Sequence, residues 1–475
     1  MALERNTFET ITPSRFITFT FPNPSNSSSL LRVAVLDSPL QLTDSPRVAA
    51  MLVPIHRESD WIFSTESGHL QLLLSSPGIS RLILIGSDRS ADAHHSPPIY
   101  HRPDQNGTSC NEELGVSEKL KPLLLALSPK CCFKFGIPEI PILCYEDNVV
   151  SSVVLERCVG SLVGEMVVED VEIESGAGEV SKREFRRRLR FKRMPNLVQT
   201  EVRIVPKTGF GFDCVEFGEI EFRLDNSVLV HPYLVPMVAS LSLVASCVEE
   251  QIRSGFRPKA LCLGVGGGAL LGFLSAHLSF QVVGVEADGE VLRVARKYFG
   301  LEDGEHINVH VGDAIKFIEK LAFRVNERTA GSIFAYEVED GSESCDMGDG
   351  NDVHTKFDVV LADLDSSDAG DGIIAPPFEF VRKHVLLAAK SVLCDNGIFA
   401  INVIPPNRSF YTTMIHEFRE VFHELYEIDV GNGENFILIA VVSPVASATS
   451  DCENSFLNKL RMVVSGAYLN SIKKI

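Results

Sequence analysis

The residues best suited to chemistry lie in the second half of the chain. Gly264-Val265-Gly266-Gly267-Gly268 separates a short apolar run, residues 260–263, from a longer one, residues 269–278. A backbone that turns sharply and lets a ligand approach a helix N-terminus has no room for a Cβ, which is why such a loop needs glycine. Glu286 stands 22 positions beyond Gly264, at the end of a second apolar run. There a carboxylate can accept from both hydroxyls of a ribose. Asp313-Ala314 follows a third run, residues 307–311, and an Asp at that place can accept from an adenine amino group. Gly264, Gly266, Gly268, Glu286, Asp313 and Ala314 are therefore the candidate residues for an adenosine-containing cofactor. The loop alone leaves a nicotinamide dinucleotide open, because Gly264, Gly266 and Ala269 also satisfy GxGxx(G/A). Further on come Asp363-Leu-Asp365-Ser-Ser-Asp368 and Asn402, acids and an amide able to hold an amine.

The elements needed to position these residues can be read from apolar periodicity. Strand, glycine loop and helix alternate from residue 260, with a helix carrying Val291, Leu292, Ala295, Tyr298 and Phe299 and closed by Gly300. A strand over 357–362 leads into the Asp363 loop, a helix runs up to Leu393, and a strand over 397–403 ends around Asn402. Runs at 425–430 and 435–442 flank Gly431-Asn-Gly433-Glu, a strong hairpin signal, so the sheet closes with an antiparallel pair. Dinucleotide folds rarely end this way. Jointly the pattern resembles the seven-strand S-adenosylmethionine-dependent methyltransferase fold. The expected fold class is α/β: a Rossmann-like methyltransferase sheet with a terminal antiparallel hairpin, preceded by a mixed α/β region.

Finer motifs narrow the resemblance. Phe357-Asp-Val-Val-Leu-Ala-Asp363-Leu-Asp365-Ser-Ser-Asp368, Pro376-Pro377-Phe378 and Phe399-Ala-Ile-Asn402-Val are similar to the spermidine-synthase-like C-terminal module of the methyltransferase-like protein 13 family. His56-Arg-Glu-Ser-Asp-Trp61-Ile-Phe63, Val168-Glu-Asp170-Val and residues 186–191 resemble that family's middle region. The likeness covers most of residues 10–445. It implies S-adenosylmethionine as cofactor and a protein substrate, the N-terminal α-amine of elongation factor 1-alpha. By this resemblance the family's N-terminal module, with its lysine-methylating activity, is expected to have no counterpart here, so that activity is not carried over. Cys262 stands where many methyltransferases carry an acid, and the glycine loop lacks the Asp of polyamine synthases.

Methyl transfer to nitrogen asks for an aligned, unprotonated amine. An α-amine has a reference pKa of about 8 against about 10.4 for lysine, so it reaches the free base at lower cost. Asp363 is expected to orient that amine and accept its proton, and Asn402 to offer a carbonyl acceptor. Asp365, with Asp368, would attract the cation or cap the loop. Two rivals stand beside this reading: an aminopropyltransferase using decarboxylated S-adenosylmethionine, and a non-catalytic adaptor that keeps the fold.

Composition limits the rest. The 475 residues carry 44 basic and 63 acidic side chains, a net charge of −19, which argues against coating nucleic acid. Eleven cysteines show no metal-type spacing and read as reduced thiols. Glu4 and Glu9 precede any apolar run, so neither a secretory nor a transit signal fits, and the expected address is cytoplasmic. No metal is expected, the polar His94, His95 and His101 segment being unable to hold ligands at fixed geometry. Residues 227–248 contain no Lys, Arg, Asp or Glu, though His231, Pro232 and Pro236 interrupt them. Val238, Leu241, Ala245, Val248 and Ile252 nevertheless form one stripe, with Ser240, Ser246, Glu249 and Gln251 opposite. That pattern predicts a docked helix starting near Pro236 rather than a membrane span. Eight basic residues over 182–193 read as a charged sheet face, with an acidic partner or RNA as the sharper reading. The acid-rich 341–352 belongs to an insertion over 329–354. Expected boundaries are an accessory region 1–225, a methyltransferase domain 226–445 and a helical tail 446–475; oligomeric state is left open.

Overall fold

The computed structural model describes residues 6–475 except 27, 40–45, 54–56, 58–72, 74–77, 88–98, 103–109, 144–147, 176–181, 194–197, 208–216, 218–219, 330–355, 366–374, 406, 432, 434, 446–453 and 465. His94, His95, Trp61, Asp368 and the acid-rich 341–352 thus lie outside the described residues. Two compact units are present, the first running from Met1 to Asp225 and the second beginning at Asn226.

The first unit holds two sheets. β1 (Phe16–Pro22), β2 (Leu30–Asp37), β3 (Val48–Leu52), β4 (Arg81–Ser87) and β6 (Ile142–Leu143) form a five-stranded sheet in the order β1-β2-β4-β3-β6. Its central strands are apolar on both faces and buried on both, as an interior strand requires. Arg81 is wholly buried there. It donates to both carboxylate oxygens of Asp37 at 2.6 and 2.9 Å and to the carbonyls of Phe8, Thr10 and Leu127, so no buried charge is left uncompensated.

The second sheet has the order β11-β10-β9-β8-β7-β5, made of β5 (Ile99–His101), β7 (Val149–Gly160), β8 (Gly164–Ser175), β9 (Lys182–Phe191), β10 (Val198–Pro206) and β11 (Phe222–Asp225). The basic strip is β9, and its neighbours neutralise it. Arg187 pairs with Asp170 at 2.7 Å and Arg190 with Glu169 at 2.7 Å on β8, while Arg186 and Arg188 share Glu201 on β10 at 2.6 Å. The charges serve pairing within the sheet. His101 sits in β5, its Nδ1 3.1 Å from the Ser151 hydroxyl.

The second unit is built on one eight-stranded sheet, β14-β13-β12-β15-β16-β18-β17-β19. Its strands are β12 (Lys259–Leu263), β13 (Gln281–Glu286), β14 (Ile307–Val311), β15 (Phe357–Ala362), β16 (Leu393–Val403), β17 (Glu424–Asp429), β18 (Phe436–Val441) and β19 (Lys473–Lys474). β14 through β16 run parallel, and β18 and β17 are antiparallel. Beyond the seven strands expected from sequence, β19 adds a two-residue edge to β17, Glu427 opposite Lys473. The tail is therefore helical over Ser455–Val463 and Gly466–Asn470 and then extended.

The uncharged stretch is not one helix with one stripe. It is a short helix (Leu234–Ala239), a 3₁₀ segment (Ser240–Val244) and a helix (Ala245–Arg253), beginning two residues before Pro236. The tighter 3₁₀ turn advances the phase faster than an α-helix, so a stripe drawn at constant pitch drifts. Ser240 and Glu249, expected outside, are buried at 0% and 7% exposure, while Ile252 is 37% exposed. Among the described residues only this stretch is long and apolar enough to cross a membrane. Met237, Val238, Leu241, Val244 and Val248 are instead buried in the core on one face of the sheet.

Candidate active site

β12 sits at the middle of the parallel strands, flanked by β13 on one side and β15 on the other. Strand order reverses between β12 and β15. At such a switch point the crossovers leave in opposite directions and a crevice opens beyond the carboxyl ends of the two strands. Those ends carry the glycine loop and Asp363.

Gly264 shows why the loop sequence is needed. Its φ is +84°, and a Cβ there would lie 2.0 Å from the backbone carbonyl oxygen of Asp363. The two loops touch through the missing side chain, with the Asp363 N–H donating to the Leu263 carbonyl at 2.9 Å. Gly268, at φ +80°, sits at the N-terminus of the helix Ala269–Leu278, where a Cβ would meet Leu301 at 2.8 Å. Gly266 has φ +53°.

Glu286 ends β13 and turns back toward this loop. One of its oxygens accepts from the Val265 and Gly266 N–H groups at 3.2 and 3.1 Å, and the other from Asp288 N–H at 3.2 Å. Burial raises its pKa, and these three N–H groups pull the other way. Asp313 lies past the end of β14 and is exposed. Its carboxylate accepts from Lys316 N–H at 2.9 Å and so caps the helix that begins at Ala314. β13 and β14 are paired, with Gly312 N–H donating to the Glu286 carbonyl at 2.8 Å. No side-chain contact joins Asp313 to Glu286 among the described residues.

Asp363, Asn402 and a residue the sequence reading missed form the centre. Asn402, near the end of β16, is 3% exposed and donates through Nδ2 to Asp363 Oδ1 at 3.2 Å. Tyr233, just before the helix Leu234–Ala239, donates its hydroxyl to the same carboxylate. Burial pushes the Asp363 carboxyl up to about 6, opposed by the Tyr233 and Asn402 hydrogen bonds and reinforced by Asp365. Burial and the neighbouring acids hold Tyr233 well above the usual phenol range, so it stays a neutral donor. Asp365 acts on Asp363, Tyr233 and Glu286 alike. Nothing in the sequence marked Tyr233, because it lies 31 positions before Gly264 and 130 before its partner Asp363 (264 − 233 and 363 − 233). Cys262 is fully buried beneath the loop, its thiol held neutral by burial and by Asp363.

The geometry can be set beside known proteins. The chain is 27% identical over 456 residues to the eEF1A lysine and N-terminal methyltransferase of Xenopus laevis, covering 92% of this chain and 57% of that one. With the Homo sapiens protein of the same name it shares 25% over 432 residues, 85% of this chain and 53% of that one. This chain is their relative. It spans about half the length of the curated relatives it matches, 57% and 53%. No protein-family model matches it. A crystal structure of human methyltransferase-like protein 13 in complex with SAH covers 49% of this chain and 92% of that chain at 23% identity, with a TM-score of 0.39.

Proposed function

We propose that this chain is an S-adenosylmethionine-dependent protein N-methyltransferase acting on an N-terminal α-amine, that of elongation factor 1-alpha by resemblance. One observation carries the reading: a carboxylate at the switch point, Asp363, is half-buried beside the glycine loop, loaded with two donors and pushed up to about 6. That value makes Asp363 a base near neutral pH that can still be ionised. β12 to β18 correspond to the seven strands of the methyltransferase sheet with its closing hairpin, residues 1–225 to an accessory region and the tail to an addition. A cytoplasmic address would follow from a translation factor as substrate.

The residues present fit an S-adenosyl group. The Glu286 carboxylate, anchored by three N–H groups, keeps one acceptor site, on the oxygen that accepts from Asp288, for a ribose hydroxyl. Gly264, Gly266 and Gly268 keep the loop clear of side chains, and Asp313 with Ala314 provides an acceptor and a helix N-terminus for the base. When bound, the cofactor would supply an electrophilic methyl carbon on a sulfonium leaving group. Asp363 and Asn402 would take the acceptor amine, Asp363 removing its proton, while Tyr233 and Asn402 hold the carboxylate in one orientation. Asp365 adds negative potential that draws in an ammonium ion. Burial then favours the neutral amine, because the charged form loses water.

The test uses methyl-labelled S-adenosylmethionine with a peptide bearing a free α-amine, alongside the same peptide acetylated. Label on the free peptide alone is expected, with Asp363→Asn slowing transfer by roughly 10²–10⁴-fold while calorimetry still detects cofactor binding. Consumption of decarboxylated S-adenosylmethionine with a polyamine would favour aminopropyl transfer instead, and binding of neither cofactor would point to an adaptor.

A further inference from the structure

Tyr233 donates to Asp363 from the start of a helix too short to hold it there unaided. The helix Leu234–Ala239 has six residues, well below the length at which a helix is stable by itself, so its place is set by what packs on it. Part of that packing is the sheet core, where Leu234, Met237 and Val238 are buried. The rest comes from the far end of the sequence, because the helix Gly466–Asn470 packs on the helix Leu234–Ala239. Tyr468, Leu469 and Ile472 press on the same core cluster as Tyr233 and Val235. The helix Gly466–Asn470 is in turn tied down before and after. Before it, Asn454 caps the helix Ser455–Val463 through the Leu457 N–H at 2.7 Å, and Glu249 accepts from the Phe456 N–H at 2.7 Å. After it, β19 pairs with β17, the Ile475 N–H donates to the Leu425 carbonyl at 3.0 Å, and Lys474 Nζ donates to Glu424 at 2.6 Å.

We propose that residues 454–475 form a positioning strap for the catalytic carboxylate: through Tyr468 and Leu469 they seat the helix Leu234–Ala239 and so hold the Tyr233 hydroxyl on Asp363. The inference rests on the N-methyltransferase reading and deepens it. Tyr468 and Leu469 are positioning residues, acting through Tyr233. The backbone that aims the Tyr233 ring belongs to the element they seat, since the Met237 N–H donates to the Tyr233 carbonyl at 3.0 Å and the Leu234 N–H to the His231 carbonyl at 3.1 Å. A hydrogen bond weakens steeply with distance and misalignment, so a small drift of that turn is enough to release the carboxylate. The glycine loop and Glu286 are set instead by β12 and β13 and by the N–H groups between them. Loosening the strap at Leu469 therefore acts on the base and not on the cofactor. Its signature is a loss in kcat, with the affinity for S-adenosylmethionine and the KM for the peptide preserved.

The experiment uses the full chain as wild type, as Leu469→Ala, as the volume-conserving Leu469→Met, as Tyr233→Phe and as the double variant Tyr233→Phe/Leu469→Ala. Three quantities are measured: kcat and KM with S-adenosylmethionine and a peptide bearing a free α-amine, cofactor binding by calorimetry, and hydrogen exchange over residues 231–239 by mass spectrometry. Leu469→Ala is expected to lower kcat by about 3- to 10-fold, the size of one hydrogen bond. Cofactor affinity and peptide KM should stay as in the wild type, and exchange over 231–239 should quicken. Leu469→Met should match the wild type. In the Tyr233→Phe background Leu469→Ala should cost nothing further, because the hydrogen bond it loosens is already gone. Additive losses in the double variant would overturn the inference. So would unchanged kcat or unchanged exchange in Leu469→Ala, or a loss of kcat that tracks a loss of cofactor binding. A wild type that binds the cofactor and methylates no peptide would remove the methyltransferase reading alone, and the exchange over 231–239 would then decide whether the strap seats Tyr233.

Discussion

The role proposed for Asp363 requires the ionised carboxylate, and its surroundings work against that form. Burial disfavours the carboxylate, Asp365 adds to the effect, and the Tyr233 and Asn402 donors recover part of it. As a raised acid, Asp363 is protonated, and inactive as a base, below about 6. Turnover should therefore fall as pH drops through about 6, and a second rise is expected toward about 8 as the α-amine deprotonates. Tyr233→Phe removes one donor to the carboxylate, so the lower limb of the profile should move upward; an unmoved limb would separate Tyr233 from the base. The same shift affects stability with the opposite preference. A group whose folded pKa is raised contributes stability that is fully present below its unfolded value of 3.8 and is lost as pH rises through about 6. Asp363→Asn escapes that loss, so thermal unfolding at pH 7 should show the inactive variant as stable as the wild type or more so, by on the order of 1–3 kcal/mol.

At the scale of elements, two contacts decide whether the site exists. The first is the glycine loop against the Asp363 loop. Gly264→Ala would place a methyl group 2.0 Å from a backbone oxygen at a φ of +84°. The backbone conformation alone costs about 1–3 kcal/mol for a residue with a Cβ, and the clash forces the loops apart. Loss of cofactor binding together with a lower Tm is expected, and a variant binding normally would refute the close approach. The second is the seat of the Tyr233 segment. Glu249 accepts from the Phe456 N–H at 2.7 Å and from Arg253 Nε at 2.8 Å, which ties the tail helix to the helix Ala245–Arg253. Phe456, Leu460 and Val464 lie in the same core cluster as Met237 and Val238. Glu249→Ala leaves that N–H buried and unpaired, at about 1–3 kcal/mol, and proteolysis should then release the tail before the sheet.

At the scale of the molecule, charge and pairing set the field that a partner meets. The net charge is −19, and the densest basic strand has its arginines matched to acids on both neighbouring strands. Little positive field remains to attract polyphosphate. At about 0.15 M salt a labelled RNA should show no binding in fluorescence anisotropy; salt-sensitive binding would give β9 a role beyond its own sheet. The relatives are about twice as long, this chain covering 57% and 53% of them. Activity on the α-amine by this chain alone is accordingly a direct test of whether one module suffices.

Periodicity and turn chemistry are local, and they were enough to read the strand, glycine loop and helix at 260–278, the paired strands around Gly431, and Glu286, Asp363 and Asn402 at strand ends. A glycine at positive φ or an acid after an apolar run declares itself within a few residues. Tertiary structure alone determined that Tyr233 and Asn402 donate to Asp363, that Glu249 is a buried cap and that the arginines of β9 are neutralised. Each of those depends on a partner brought close by chain crossing between distant segments, and hydrogen bonds and ion pairs between such segments leave no period in the sequence.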